Sequence, residues 1–288
     1  MALGDGPHEV SIDFSAEELA YLLEVRGHAR LPLLDDEPSS HHGPEVRAAV
    51  RAATQRSLMA RRILSPPGQS GEESDGLQAA VAQLLSLVAG PGLVAEIARE
   101  DAEAARRWYL AALPEVSVEH AALPGGIHRL TPFPTADFLV RVASLAGLAG
   151  PATDPDRPGG RHRFSVSGSA FRRAGEAVAG GDRQAAVRAL TGAGVGSEAA
   201  EAFTSALAEK DATAAVTILY RPEPDLVEGG ELAFLDAGGR GLWTLPLPDA
   251  EAEAVGHDPV ASVSEVTPAE LTAQLAGFLP AAGVPEPR

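Results

Sequence analysis

The sequence has no cysteine and a single lysine, and both deficits exclude whole classes of chemistry. Without cysteine the chain cannot form a disulfide, a thiol nucleophile, an iron–sulfur cluster or a cysteine-ligated zinc site. Any P-loop or Schiff-base chemistry would depend on Lys210, which follows Glu209 and not the glycine that a P-loop requires. The composition therefore argues against a thiol enzyme or a P-loop enzyme.

Basic residues are also in deficit, since 23 Lys and Arg face 40 Asp and Glu, for a net charge of −17. Such an acidic chain repels nucleic acid and anionic membrane surfaces, because both are polyanions. The longest uncharged stretch, 76–95, contains two glutamines and is broken by a Gly-Pro-Gly turn, so it predicts a buried helix and not a membrane span. The first ten residues lack the features of a secretory signal. We expect a soluble, cytoplasmic protein without a cofactor, without nucleic acid as a partner and without membrane insertion.

The same local pattern, a short strand that leads into a capped helix, occurs twice. In its first occurrence Ser15 and Glu18 form a predicted capping box, and Phe14 and Leu19 form the accompanying hydrophobic staple. Residues 162–171 repeat the order of strand and helix start. The repetition indicates an internal duplication.

Each half then continues with helices, four strand-like segments and a final helix. In the first half the predicted strands are 93–99, 105–112, 115–122 and 126–131, and the helix starts near Thr135. In the second half Ser197 is predicted to cap a helix, and the strands are 212–220, 230–236, 241–247 and 261–266. A last helix begins with Thr267 as its N-cap, Pro268 at its first position and Glu270 as the capping-box partner.

Consecutive strands joined by short turns must pair antiparallel, and helices packed on an antiparallel sheet define an α+β fold. We therefore predict an α+β protein in which two related halves surround a central antiparallel sheet flanked by helices. The predicted boundaries are 8–148 for the first half, 149–161 for a linker and 162–280 for the second half, all packed as one globular unit.

No segment has the spacing of a known catalytic or metal-binding motif. His120 and His128 lie in neighbouring predicted strands and could approach each other, but two imidazoles without a third ligand form a weak metal site. A small-molecule enzyme that uses this pair in a pocket stays open as an alternative function.

Two strands of the second half are apolar on both sides. Leu232 and Phe234 point one way and Leu235 the other, and in the next strand Trp243 and Leu245 share a face. A sheet with one face in water would alternate apolar with polar residues, so either helices cover both faces here or a partner covers one. Since Pro246 cannot donate to a ladder, we also expect this strand to reach an edge there.

The second half resembles the EspG family, the cytosolic chaperones of actinobacterial type VII (ESX) secretion systems. Four segments carry the resemblance: 187–192 with the helix that follows it, the strand 214–220, the turn 236–241, and the helix start 266–271. It follows the element order over nearly all of 8–280 and is strongest from 162 onward. The resemblance implies two related halves around an antiparallel sheet, in agreement with the fold class predicted above.

The resemblance further implies a protein that is not an enzyme. Family members bind the helical tip of a PPE protein in its PE/PPE heterodimer and keep the dimer soluble until secretion. The expected partner is accordingly a PE/PPE-like or other secreted helical protein, and we predict Leu235, Trp243 and Leu245 as partner-binding residues. A homo-oligomeric scaffold, in which the apolar sheet pairs with itself, stays open as another alternative. A chaperone is instead expected to be a monomer or a weak homodimer on its own.

Overall fold

The computed structural model describes residues 11–28, 31–34, 43–65, 77–148, 162–223, 226–247, 258–281 and 283–284. The predicted linker 149–161 lies outside these residues. The ten strands are β1 (Ile12–Ser15), β2 (Leu93–Asp101), β3 (Ala105–Ala112), β4 (Val116–Leu123), β5 (Ile127–Pro134), β6 (Arg163–Ser167), β7 (Ala212–Glu223), β8 (Leu226–Asp236), β9 (Leu242–Leu245) and β10 (Val260–Val266). The helices of the described part are α1 (Ala16–Arg26), α2 (Pro44–Ala60), α3 (Ala79–Ala89), α4 (Phe138–Leu145), α5 (Gly168–Ala179), α6 (Arg183–Gly192), α7 (Ser197–Ala208) and α8 (Pro268–Gly277).

All ten strands belong to one antiparallel sheet whose order is β1-β5-β4-β3-β2-β7-β8-β9-β10-β6. Counted outward from the central β2–β7 pair, the second half repeats the first: a four-strand meander and then the strand that precedes the first helix of that half. Because β2 and β7 pair antiparallel, this order is that of two related halves joined at the middle of the sheet. The predicted α+β class is confirmed, while the half boundaries at 8–148 and 162–280 stay a prediction.

The helices divide between the two faces of the sheet. One face, here called the front face, carries α1–α3 over the first half and α5–α7 over the second. On the back face α4 and α8 pack together over the central strands, where Ile97, Val216 and Leu275 belong to one buried cluster. The sheet is therefore the middle of three layers, and its centre is deeply buried on the back side.

Two predicted capping boxes are present at the helix starts, and a third predicted cap is not. The side chain of Ser15 accepts a hydrogen bond from the backbone N–H of Glu18, whose carboxylate accepts one from the N–H of Ser15. Thr267 and Glu270 make the same reciprocal pair at the start of α8. The prediction that Ser197 caps α7 is wrong by one residue, because Gly196 is the N-cap and has no side chain to accept a hydrogen bond.

Replacing Thr267 with alanine should lower the free energy of unfolding by about 1 kcal/mol, since one donor at the start of α8 loses its acceptor. Denaturant unfolding measures this change. Thr267→Ser keeps the oxygen and serves as the matched control, so an equal loss in both variants would show that the cap is not the cause.

The prediction that the strand with Trp243 reaches an edge at Pro246 is wrong. β9 pairs with β8 on one side and with β10 on the other, so it is an interior strand of the sheet. Pro246 follows Leu245, the last residue of β9, where the missing N–H costs no ladder hydrogen bond.

Candidate partner-binding face

The front face is open along the middle of the sheet, between the two groups of helices. Glu96 and Ala98 of β2 are exposed there, and Ala215 and Thr217 of β7 are only half-buried. On the back of the same strands Ile97 is 1% exposed and Val216 is 0% exposed. The described helices thus cover these two strands on one side and leave a strip of the other side accessible.

An apolar row crosses this open strip. Ala98 is paired with Ala215, Ala215 with Ala233, and Ala233 with Leu245, so these four side chains lie next to one another on the front face. The alanines make a low, flat floor, and Leu245 stands at its edge, half-buried against the second-half core. We call Ala98, Ala215, Ala233 and Leu245 the apolar row.

A second row runs beside it on the same face, two residues away on each of β2, β7 and β8. Glu96 is paired with Thr217, and Thr217 with Glu231. Both glutamates are exposed. Neither of them is among the residues that form ion pairs within the described part of the chain. We call Glu96, Thr217 and Glu231 the acidic row.

The structure separates the three residues predicted to bind a partner. Leu235 is 0% exposed and Trp243 is 1% exposed, both in the core beneath the helices of the second half. Of the three, Leu245 alone reaches the open strip, as a member of the apolar row. Helices of the chain itself therefore cover these strands on both faces at Leu235 and Trp243, while Leu245 stays half-buried beside the open strip. The part that Leu235 and Trp243 take in binding stays a prediction, and their burial agrees with the competing interpretation that they are core residues.

Trp243 packs in an aromatic cluster that links β9 to α7. Its ring lies 5.3 Å from that of Phe203, centroid to centroid, and stacks on His162 at 6.0 Å. The indole N–H donates a hydrogen bond of 3.4 Å to the backbone carbonyl of Arg240, so its polar atom is satisfied inside the core.

The sequence analysis did not predict the three alanines of the apolar row as partner-binding residues, although a signal for them existed. Along β7 half-buried Thr213, Ala215 and Thr217 alternate with buried Ala214 and Val216. This period of two is typical of a strand with one face uncovered. Side chains as small as alanine and threonine do not stand out as a binding surface until the register places them beside Leu245.

His120 and His128 do approach each other, as their positions on neighbouring strands indicated. The Nε2 atom of His120 lies 2.9 Å from Nδ1 of His128, and the two side chains are 0% and 5% exposed. The Nδ1 atom of His120 has no hydrogen-bond partner. This favours the tautomer in which Nε2–H of His120 donates to His128. The Nδ1 atom of His120 then carries a lone pair without a donor, and no buried N–H is left without an acceptor.

Burial, and secondly the nearby His128, lowers the pKa of His120 to about 4. His120 is therefore neutral at neutral pH, and burial keeps solutes away from both rings. Among the described residues no group of three His, Asp or Glu side chains could hold a metal ion. The pair consequently has the geometry of a packed structural contact.

Within the residues that the structure describes, no helix has both the length and the apolar character to cross a membrane.

The sequence matches no protein-family model, and no curated protein is similar to it. Fifteen chains of solved structures match the fold. One of them is the Mycobacterium tuberculosis type VII secretion system chaperone EspG5, solved in complex with a PE25–PPE41 dimer. The match has a TM-score of 0.60 at 14% sequence identity and covers 97% of this chain and 100% of EspG5. The chain therefore has the fold of the type VII secretion chaperone EspG5 over nearly its whole length.

Proposed function

We propose that this protein is a non-catalytic, cytosolic chaperone or adaptor of a type VII (ESX) secretion system. It binds the helical tip of a PE/PPE-type secreted protein on the apolar row of its front face and keeps that client soluble. The fold shared with EspG5, which was solved in complex with a PE25–PPE41 dimer, supports this proposal.

The open strip on the front face is the observation that carries the proposal. The two halves meet at β2 and β7, and their back side is closed by α4 and α8. On the front side the strip has a helix group on each flank and no described helix above it. A groove with a sheet as its floor and helices as its walls fits an elongated helical ligand.

The width of the strip fits a client tip made of two helices. The apolar row runs from Leu245 on β9 to Ala98 on β2, and β3 borders it, so the floor spans four inter-strand gaps. At about 4.8 Å for each gap this is roughly 19 Å. Two packed helices, with axes about 8–10 Å apart, occupy nearly this width. Burial of their apolar residues would contribute about 25 cal/mol for each Å² removed from water.

Replacing Ala98 with arginine should reduce client affinity by about tenfold or more, because a long charged side chain then rises from the floor of the site. Ala98 is exposed, so the variant is expected to fold normally. Val140→Arg is the matched control, since Val140 is 67% exposed on α4 at the back of the molecule.

The assay is co-expression with each PE/PPE-type heterodimer encoded in the same genome, followed by co-purification and calorimetry. The proposal requires at least one heterodimer that is kept soluble by the wild type and by Val140→Arg, and much less by Ala98→Arg. If no heterodimer is bound or kept soluble by the wild type, the proposed function is wrong.

A further inference from the structure

The acidic row gives the proposed client site a chemical preference, and this inference rests on the proposed function. We propose that the client tip which covers the apolar row carries a lysine or arginine on each of its two helices, directed at Glu96 and Glu231. The site is thus selective for apolar helical tips with basic flanks.

The positions of the two carboxylates match two helices. Glu96 lies on β2 and Glu231 on β8, with β7 between them, so they are two strand spacings apart. This is about 9.6 Å, close to the distance of about 8–10 Å between the axes of packed helices. One glutamate therefore faces each helix of a client that lies on the apolar row.

Within the described part of the chain, no ion pair balances the charge of Glu96 and Glu231. Glu100 lies on the front face beyond Ala98, so glutamates stand on both sides of that alanine. Arg107 on β3 is a basic residue paired with Ala98 of the apolar row, and it forms no ion pair within the described part of the chain. The adjacent helix α3 has no charged residue. The strip therefore keeps a negative potential.

A docked client would remove water from the carboxylates of Glu96 and Glu231. Carboxylates that lose their hydration without gaining a partner oppose binding, whereas charge-assisted hydrogen bonds from lysine or arginine restore what they lose. A client with acidic or purely apolar flanks leaves Glu96 and Glu231 unpaired beneath it. The acidic row consequently acts against such tips and favours basic ones.

Three designed helical hairpins test the preference with the full chain. They share one apolar tip and differ only in the flanking residues, which are lysine, glutamine or glutamate. At low salt the lysine hairpin should bind about tenfold more tightly than the glutamine hairpin, and the glutamate hairpin more weakly than both. Near 1 M salt, where the Debye length is about 3 Å, the advantage of lysine should largely disappear.

Charge-neutral variants of the protein locate the effect. Glu96→Gln with Glu231→Gln should remove most of the preference for lysine and leave binding of the glutamine hairpin nearly unchanged. The control replaces two exposed glutamates on outer helices, Glu45→Gln on α2 with Glu176→Gln on α5, and should preserve the preference.

Each outcome decides one of the two proposals. Equal binding of the lysine and glutamate hairpins to the wild type overturns the inference and leaves the apolar docking site intact. A lysine preference that survives undiminished in the Glu96 and Glu231 double variant overturns it as well. If none of the hairpins binds the wild type, the apolar row is not a docking surface and the proposed site is wrong. The hairpin comparison needs only the wild-type protein, so it does not depend on how the variants fold.

Discussion

Replacing Trp243 with alanine is expected to lower the free energy of unfolding by about 3–5 kcal/mol, the largest single-residue effect that we predict. The ring is 1% exposed and packs against Phe203 and His162, so its removal leaves a cavity between β9 and α7. Denaturant unfolding of the two proteins measures the loss.

Leu245→Ala is the matched comparison on the same strand. Leu245 is half-buried and belongs to the apolar row, so its truncation should cost less stability than that of Trp243 and should weaken client binding at an almost unchanged melting temperature. The opposite result for Trp243→Ala, lost binding with full stability, would make Trp243 a direct contact residue and contradict its role in the core.

The elements of this fold could be predicted because their signals are local. The capping boxes at Ser15 and Thr267 depend on residues three apart, and the structure contains both. Strand β2 was a harder case, since its alanines and glutamates also suit a helix. Pairing with β3 on one side and β7 on the other holds it extended. In the sequence this shows as burial of every second residue, Leu93, Ala95 and Ile97.

The surface could not be predicted in the same way, because exposure depends on which distant elements meet. Trp243 and Leu245 share a face of one strand and have the same apolar character. Helix α7 nevertheless covers Trp243, whereas Leu245 is only half-buried. Ala98 and Ala233 come from strands of different halves, and only the order of the sheet brings them into one row. The sequence thus locates the apolar strands of the second half, but which of their residues are exposed follows only from the structure.

Acidification is expected to destabilise the protein through the buried histidine pair. The folded state holds the pKa of His120 at about 4, below its ordinary value of 6.5. Between these values the unfolded chain binds a proton that the folded chain does not, so the free energy of unfolding falls as the pH falls. Over the whole interval the loss attributable to His120 is about 3 kcal/mol. Above the ordinary pKa both states are neutral, and stability no longer depends on this group.

The structural cause is that one N–H fills the contact between the two rings, so an added proton on His120 must go to its Nδ1 atom, which has no hydrogen-bond partner. A proton on Nδ1 of His120 would bury an N–H without a partner and would place a charge beside His128. His120→Gln removes the titrating ring and still offers an N–H to His128, so the pH slope of its unfolding free energy should be much smaller in this interval.

Carboxylates also contribute to acid unfolding. Comparison of the wild type with His120→Gln separates their contribution to the loss of unfolding free energy from that of the histidine pair. Hydrogen bonds from Arg129 lower the pKa of Asp13, and those from Ser169 lower the pKa of Asp258. Their stabilisation is lost only as the pH falls below the ordinary value of about 3.8 for aspartate, and it is the same in the wild type and in His120→Gln. Equal slopes for the two proteins between pH 6.5 and about 4 would therefore mean that the histidine pair is not the acid-sensitive element, whatever the total loss of stability. A steeper slope in the wild type assigns the difference to the His120–His128 pair, because the two proteins share every other titrating group.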